Sequence, residues 1–109
     1  MAKSKPETVM ATYRAPKANE RKLLTALKAH RRILDRLGLV TPTKTLILRQ
    51  VEKGGVTFYE IFDWVSGAAV ETAHRAPDIM AAWDTIGRLC RSRGGKPAMD
   101  FPHVTRCRV

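Results

Sequence analysis

The segment from Val56 to Trp64 carries large apolar side chains on both faces of a predicted β-strand. Because side chains alternate along a strand, they divide into Val56, Phe58, Phe62 and Trp64 on one face and Tyr59 and Ile61 on the other. Strands with this pattern are covered on both sides by other parts of the protein. The fold must therefore provide a layer for each face of the sheet that contains this strand.

The totals of the sequence indicate one globular domain. The chain has 109 residues, of which 44% are hydrophobic and 28% charged, enough for a buried core without metal or disulfide. No apolar run approaches the roughly 18 residues of a membrane span, and no apolar region follows the charged N-terminus as in a secretory signal. Cys90 and Cys107 are too few and too distant for a disulfide framework or a CxxC site. We expect a cytoplasmic protein with a disordered leader, residues 1–7, and a single domain, residues 8–107.

The net charge of +10 is the unusual total. Such a charge favours a polyanionic partner. However, the basic residues are spread over the leader, one predicted helix, one loop and the C-terminus, and no predicted strand interleaves basic and aromatic residues as RNA-binding sheets do. Their distribution favours a solvated surface, and nucleic-acid binding remains the weaker alternative.

The first half of the domain predicts a strand followed by a helix. The loose alternation of Thr8–Arg14 indicates the strand. Asn19 is a candidate N-cap for the helix, and Gly38 is a candidate stop in the left-handed conformation. Between them, large side chains recur every three or four residues and form one apolar face: Leu23, Leu27, His30, Leu34 and Leu37.

A hairpin of two strands follows. The second strand is predicted over Lys44–Glu52, and Gly54 and Gly55 allow a tight turn into the strand Val56–Trp64.

The remaining third of the chain predicts a broken helix and a last strand. Ser66 is a candidate N-cap, and Pro77 divides the helix into a piece ending near Arg75 and a piece beginning at the proline itself. The last strand is predicted over Ala98–Cys107, where Pro102 indicates an edge position or a bulge.

The order strand, helix, strand, strand, helix, strand is that of the α+β ferredoxin-like fold, with the helices on one face of a four-stranded antiparallel sheet. Two helices cover only that face, yet the second and third strands are apolar on both. A monomer would expose a large apolar patch, which soluble monomers avoid. We therefore expect a homodimer in which two sheets face each other.

The sequence resembles the dimeric α+β barrel proteins, a superfamily that includes the antibiotic biosynthesis monooxygenases and the haem-degrading monooxygenases. The resemblance extends over residues 8–107, and its most specific part is EIFDW followed by SGAAVETAHRAPDIMAAW. It implies a barrel of two sheets across the dimer and a substrate cavity between sheet and helices in each subunit. The superfamily hosts many chemistries, so the resemblance does not imply one reaction.

Haem-degrading members share an Asn on the first strand and a Trp and a His on the second helix. Aligned by the strand-ending Trp64, the two helix positions fall at Ala73 and Trp83, and the first strand has no Asn. Haem degradation is therefore not expected. Oxygenation without a cofactor, which needs only a cavity that binds and deprotonates an activated phenol, remains open.

Four polar residues interrupt predicted apolar faces: His30, Glu60, His74 and His103. A buried carboxylate requires a partner, and a histidine would serve Glu60. If the protein is an enzyme, we expect His74 or His103 to act as the base, with Glu60 orienting it. For each residue taken alone, a satisfied structural polar group is the favoured interpretation, and the spacing of the histidines does not indicate a metal site.

Large side chains near these residues would form the walls of a binding cavity. The candidates are Trp64, Trp83, His30, Phe62 and Met80. The two tryptophans suit an apolar or aromatic ligand, although residues of this kind more often have a packing role in the core. The hypotheses are thus a small-molecule-binding dimer with cofactor-independent oxygenase activity, or a non-catalytic ligand-binding or regulatory module of the same fold.

Overall fold

The computed structural model describes residues 5–109 and shows an α+β fold. The predicted leader falls partly on residues 1–4, which lie outside the described residues, and Glu7 already belongs to the first strand. The strands are β1 (Glu7–Ala15), β2 (Leu46–Glu52), β3 (Gly55–Trp64), β4 (Met99–Asp100) and β5 (His103–Val104), and the helices are α1 (Glu20–Arg36), α2 (Gly67–Ala73) and α3 (Pro77–Leu89).

The strands form one antiparallel sheet with β1 and β3 at its centre. Its order is β2-β3-β1-β4, and β5 also pairs with β1. Val9 of β1 lies opposite Phe62 of β3, and Ala11 lies opposite Glu60. This order is compatible with the ferredoxin-like fold that the element order predicts.

Helix α1 packs its apolar face on the sheet, with Leu23, Leu27 and His30 buried. A single 3₁₀ turn over Lys17–Asn19 precedes it. The Asn19 side chain makes no capping bond and instead donates to the carbonyl oxygen of Leu89, at 3.0 Å, where α3 ends. After the helix, Gly38 adopts a φ of 69° as predicted, a conformation that glycine takes without strain.

The hairpin between β2 and β3 depends on two glycines with different roles. Gly54 adopts a φ of 90° in the turn. At Gly55 a Cβ atom would clash with the carbonyl oxygen of Ala15 and with the Arg93 guanidinium group, which donates to that same oxygen. The close approach of two strands and a partly buried arginine therefore requires glycine at this point.

The predicted break in the second helix is present. The hydroxyl oxygen of Ser66 accepts a hydrogen bond of 3.2 Å from the backbone N–H of Ala69 and so caps α2. Helix α2 ends at Ala73, two residues earlier than predicted, and α3 begins at Pro77. Because α2 and α3 are separate, His74 lies at the junction between them.

The continuous last strand predicted over Ala98–Cys107 is wrong. The chain forms two short strands, β4 and β5, which both pair with β1 and are separated by Phe101 and Pro102. Pro102 has no N–H to donate, but its carbonyl oxygen accepts a hydrogen bond of 3.0 Å from the backbone of Met10. The proline thus interrupts the strand while the segment stays attached to the sheet.

The two faces of the sheet differ in their cover. The helices cover the face that carries Phe58, Phe62 and Trp64, all of which are buried. On the opposite face, which we call the outer face, Leu46 and Leu48 are 48% and 49% exposed. Apolar side chains of the neighbouring strands continue this face as half-buried residues: Met10, Tyr59 and Ile61.

Candidate functional site

A cavity of about 350 Å³ lies between the sheet and the helices. Its walls are mostly apolar, from Val9 and Ala11 of β1, Phe62 and Trp64 of β3, and residues of α2 and α3. Six of the lining side chains carry a nitrogen or oxygen atom: Tyr13, His30, Trp64, His74, Trp83 and His103. Such a volume falls at the lower end of the range of small-ligand sites, about 300–1,000 Å³.

Six of the eight residues singled out from the sequence line this cavity: His30, Phe62, Trp64, His74, Trp83 and His103. Glu60 is completely buried behind the wall, and Met80 is 47% exposed on the surface of α3. Neither belongs to the lining. Met80 departs from expectation because it lies one helical position from Ile79, and Ile79 is the residue that α3 turns into the core.

The inner end of the cavity, which we define by Tyr13 and His30, leads to a buried chain of four polar side chains. The hydroxyl group of Tyr13 donates to Oε1 of Glu60 at 2.7 Å, and Nδ1 of His30 lies 3.8 Å from the same oxygen. On the other side of the imidazole, Nε1 of Trp83 donates to Nε2 of His30 at 2.9 Å. Strands β1 and β3 and helices α1 and α3 each contribute one residue.

The directions of these hydrogen bonds determine the tautomer of His30. An indole N–H can only donate, so Nε2 of His30 must accept. The proton of the neutral ring then lies on Nδ1 and points toward Glu60. The 3.8 Å separation is too long for a hydrogen bond, and both Nδ1 of His30 and Oε2 of Glu60 are buried without a partner among residues 5–109. The centre of this chain is therefore incompletely satisfied.

Tyr13 is strongly affected by this environment. Burial, and then the adjacent carboxylate of Glu60 that accepts its hydrogen bond, raise the pKa of Tyr13 well above its ordinary value. The phenol therefore keeps its proton at neutral pH, and that proton is directed to Glu60. Tyr13 was not predicted from the sequence to be a site residue. It alternates with Val9 and Ala11 along β1, however, so its side chain lies on the same, inward face of the sheet as theirs.

The mouth of the cavity carries two exposed histidines. Nδ1 of His74 lies 2.8 Å from the carbonyl oxygen of Val70, so this nitrogen must carry the proton that it donates. The ring of His74 stands edge-on to Trp83 with their centres 4.9 Å apart. In the neutral ring Nε2 is thus left as a hydrogen-bond acceptor.

His103 belongs to a different local arrangement. Its Nδ1 lies 3.1 Å from Oε1 of Glu7, on the exposed edge of the sheet. Glu60 contacts neither His74 nor His103, since its neighbours are Tyr13 and His30. Glu60 therefore does not orient either of the histidines expected to act as the base; it accepts a hydrogen bond from Tyr13, and the histidine nearest to it is His30 of α1.

No protein-family model and no curated protein matches this sequence. Within residues 5–109, no group of three His, Cys, Asp or Glu side chains is placed to hold a metal ion. No helix in this part of the chain is both long and apolar enough to cross a membrane. Function is therefore inferred from the geometry of the cavity.

Proposed function

We propose that this protein binds a small, mostly apolar molecule in the cavity between its sheet and its helices. The observation that carries this proposal is an apolar space of about 350 Å³ that is lined by Tyr13 at its inner end and by the imidazole of His74 at its mouth. Binding sites for small molecules commonly combine apolar walls with a few polar groups that orient the ligand.

The aromatic walls indicate the shape of the ligand. Phe62 and Trp64 stand edge-to-face with ring centres 5.2 Å apart, and Trp83 closes the side toward α3. Flat aromatic molecules gain favourable edge and face contacts with such rings in addition to the burial of apolar surface. A monocyclic or bicyclic aromatic compound is the occupant that fits best.

The two tryptophans of the chain, Trp64 and Trp83, both line the cavity and so report on its occupancy. Titration with neutral aromatic compounds such as indole should shift both indole N–H signals of the protein in ¹H–¹⁵N spectra, and the shifts should saturate. Val70→Phe, which places a larger side chain on the cavity wall, should weaken binding at least about tenfold. Ala68→Phe, on the exposed side of the same helix, is the matched control. The proposal is refuted if the shifts do not saturate, or if Val70→Phe leaves the binding affinity unchanged.

A catalytic role is the second candidate, and the position of His74 favours it. Nε2 of His74 is a free acceptor on a ring that lines the cavity, as a base that removes the hydroxyl proton of a bound phenol requires. In cofactor-independent oxygenation, dioxygen then supplies one oxygen atom, which replaces two hydrogen atoms of the substrate, and the other leaves as water.

Oxygen uptake distinguishes the enzyme from a non-catalytic binding module. With an electron-rich phenol as substrate, wild type should consume dioxygen, and His74→Ala should lose this activity while the indole N–H shifts on ligand binding persist. The same measurement on His103→Ala shows whether the second exposed histidine contributes to oxygen consumption. Ligand binding without oxygen consumption in wild type would assign the protein to the binding or regulatory class.

We further propose that two copies associate through the outer face of the sheet. Leu46 and Leu48 are about half exposed there, next to the half-buried Tyr59 and Ile61. Packing two such faces removes apolar surface from water on both subunits. The result would be the dimeric barrel that the sequence resemblance implies, with each cavity on the side away from the interface.

A further inference from the structure

We infer that the ligand donates a hydrogen bond at the inner end of the cavity, so that it is a neutral aromatic molecule carrying a hydroxyl or N–H group. This inference rests on the proposed binding function and specifies its ligand class. It depends on which atoms of Tyr13, Glu60 and His30 are already engaged in hydrogen bonds.

The hydroxyl group of Tyr13 has one proton and two lone pairs. Its proton is donated to Oε1 of Glu60 at 2.7 Å, inside the core where Glu60 is completely buried. The raised pKa of Tyr13 means that this proton is not lost at neutral pH. What the Tyr13 oxygen offers to a ligand is therefore a lone pair, and the complementary ligand group is a donor.

His30, the other residue of the inner end, offers no hydrogen-bond donor to a ligand. Its Nε2 already accepts from Trp83, and its Nδ1 is fully buried and directed toward Glu60. No N–H of His30 is thus available to a ligand carbonyl or carboxylate. A carboxylate ligand would in addition approach Glu60, a second negative group, which is unfavourable in a region of low dielectric constant.

The mouth of the cavity, like its inner end, offers a hydrogen-bond acceptor to a ligand. Nε2 of neutral His74 is an acceptor because Nδ1 donates to the carbonyl oxygen of Val70. A ligand with donors at both ends, such as an aromatic diol, would satisfy Tyr13 and His74 together. A quinone of the same shape would meet acceptors at both positions and would bind less well.

The test compares indole with benzofuran, which has the same fused-ring shape but an ether oxygen in place of the N–H. Dissociation constants from ¹H–¹⁵N titrations of the wild-type protein should favour indole about five- to tenfold, the value of one net hydrogen bond. Tyr13→Phe should remove this preference by weakening indole alone. Tyr59→Phe, whose hydroxyl group lies on the outer face and donates to Gln50 at 2.5 Å, should retain it.

The outcomes separate the two proposals. Equal affinity of wild type for indole and benzofuran overturns the inference on ligand class and leaves the binding function intact. Saturable binding of neither compound overturns both. If Tyr13→Phe does not fold, the wild-type comparison still decides the question. A preference for indole that persists in folded Tyr13→Phe would overturn the assignment of Tyr13 as the acceptor.

Discussion

Nε1 of Trp83 donates a 2.9 Å hydrogen bond to Nε2 of His30, and this contact connects α3 to α1 at the wall of the cavity. Trp83 is also the ring against which His74 stands at the mouth. One side chain therefore contacts both the buried polar chain and the exposed histidine. We therefore expect the hydrogen bond of its indole nitrogen to contribute more to stability than the size of its ring.

Trp83→Phe should retain an aromatic wall but leave Nε2 of His30 without a donor. A buried acceptor that loses its partner costs about 1–3 kcal/mol, and we expect a decrease of that size in the free energy of unfolding measured with urea. Long-range ¹H–¹⁵N spectra of the wild-type protein should show the proton of His30 on Nδ1. Protonation of Nε2 in the neutral ring would contradict the hydrogen bond from Trp83.

Tyr13 and Glu60 should be energetically coupled. Tyr13→Phe removes the partner of Oε1, Glu60→Gln removes the charge that the phenol stabilises, and the two changes should not add. We expect a coupling energy of about 1–3 kcal/mol in a double-mutant cycle on unfolding free energies, since the pair is buried and charge-assisted. A coupling close to zero would mean that the pair does not form in solution.

A charge placed on the outer face should prevent dimerisation. Leu48→Glu puts a carboxylate in the proposed interface, where it would be desolvated. Light scattering coupled to gel filtration should report a dimer for wild type and a monomer for this variant. Met80→Glu, at an equally exposed apolar residue of α3, is the control and should stay dimeric. A monomeric wild type would exclude the interface.

Stability should fall in alkaline solution, and Cys90 should account for part of the decrease. Burial raises the pKa of the Cys90 thiol from its ordinary value of 9.0 to about 11. The folded protein therefore holds a proton that the unfolded chain releases above pH 9, so the contribution is complete below pH 9 and is lost as the pH approaches 11. Tyr13 acts in the same direction.

Urea unfolding at pH 8 and pH 10.5 measures this effect. Between pH 8 and pH 10.5 the free energy of unfolding of Cys90→Ala should decrease by up to about 2 kcal/mol less than that of wild type. A shift of two pKa units corresponds to roughly 2.7 kcal/mol, which is reached only where the thiol is ionised in both the folded and the unfolded state. Cys107→Ala is the matched control, since that thiol is exposed. An identical decrease in wild type and Cys90→Ala would contradict the assignment.

Most elements could be predicted from local sequence because their signals are local. The spacing of leucines in α1, the glycines at 38 and 54, the cap at Ser66 and the break at Pro77 all depend on neighbouring residues. The last strand could not, because the pairing of β4 and β5 depends on β1, which is about ninety positions away in the chain. Alternation alone does not show how far such pairing continues past a proline.

The partners of the candidate site residues were beyond sequence reasoning. Glu60 and the histidines could be recognised as polar residues at inward-facing positions. The sequence pattern could not show which histidine lies near the carboxylate of Glu60. Tyr13, 47 positions from Glu60, is its hydrogen-bond donor. Packing against α1 determines in which direction a strand side chain extends across the sheet. The spacing of residues in the sequence does not predict this direction.

The interruption at Pro102 makes the two edges of the sheet unequal. On one edge the two short strands and the proline offer no continuous row of hydrogen-bonding groups to an incoming chain. On the other edge β2 runs unbroken for seven residues and carries the exposed Leu46 and Leu48. Aggregation of partly unfolded or crowded molecules should therefore begin at β2, and substituting a proline or a lysine there is the change that would suppress it.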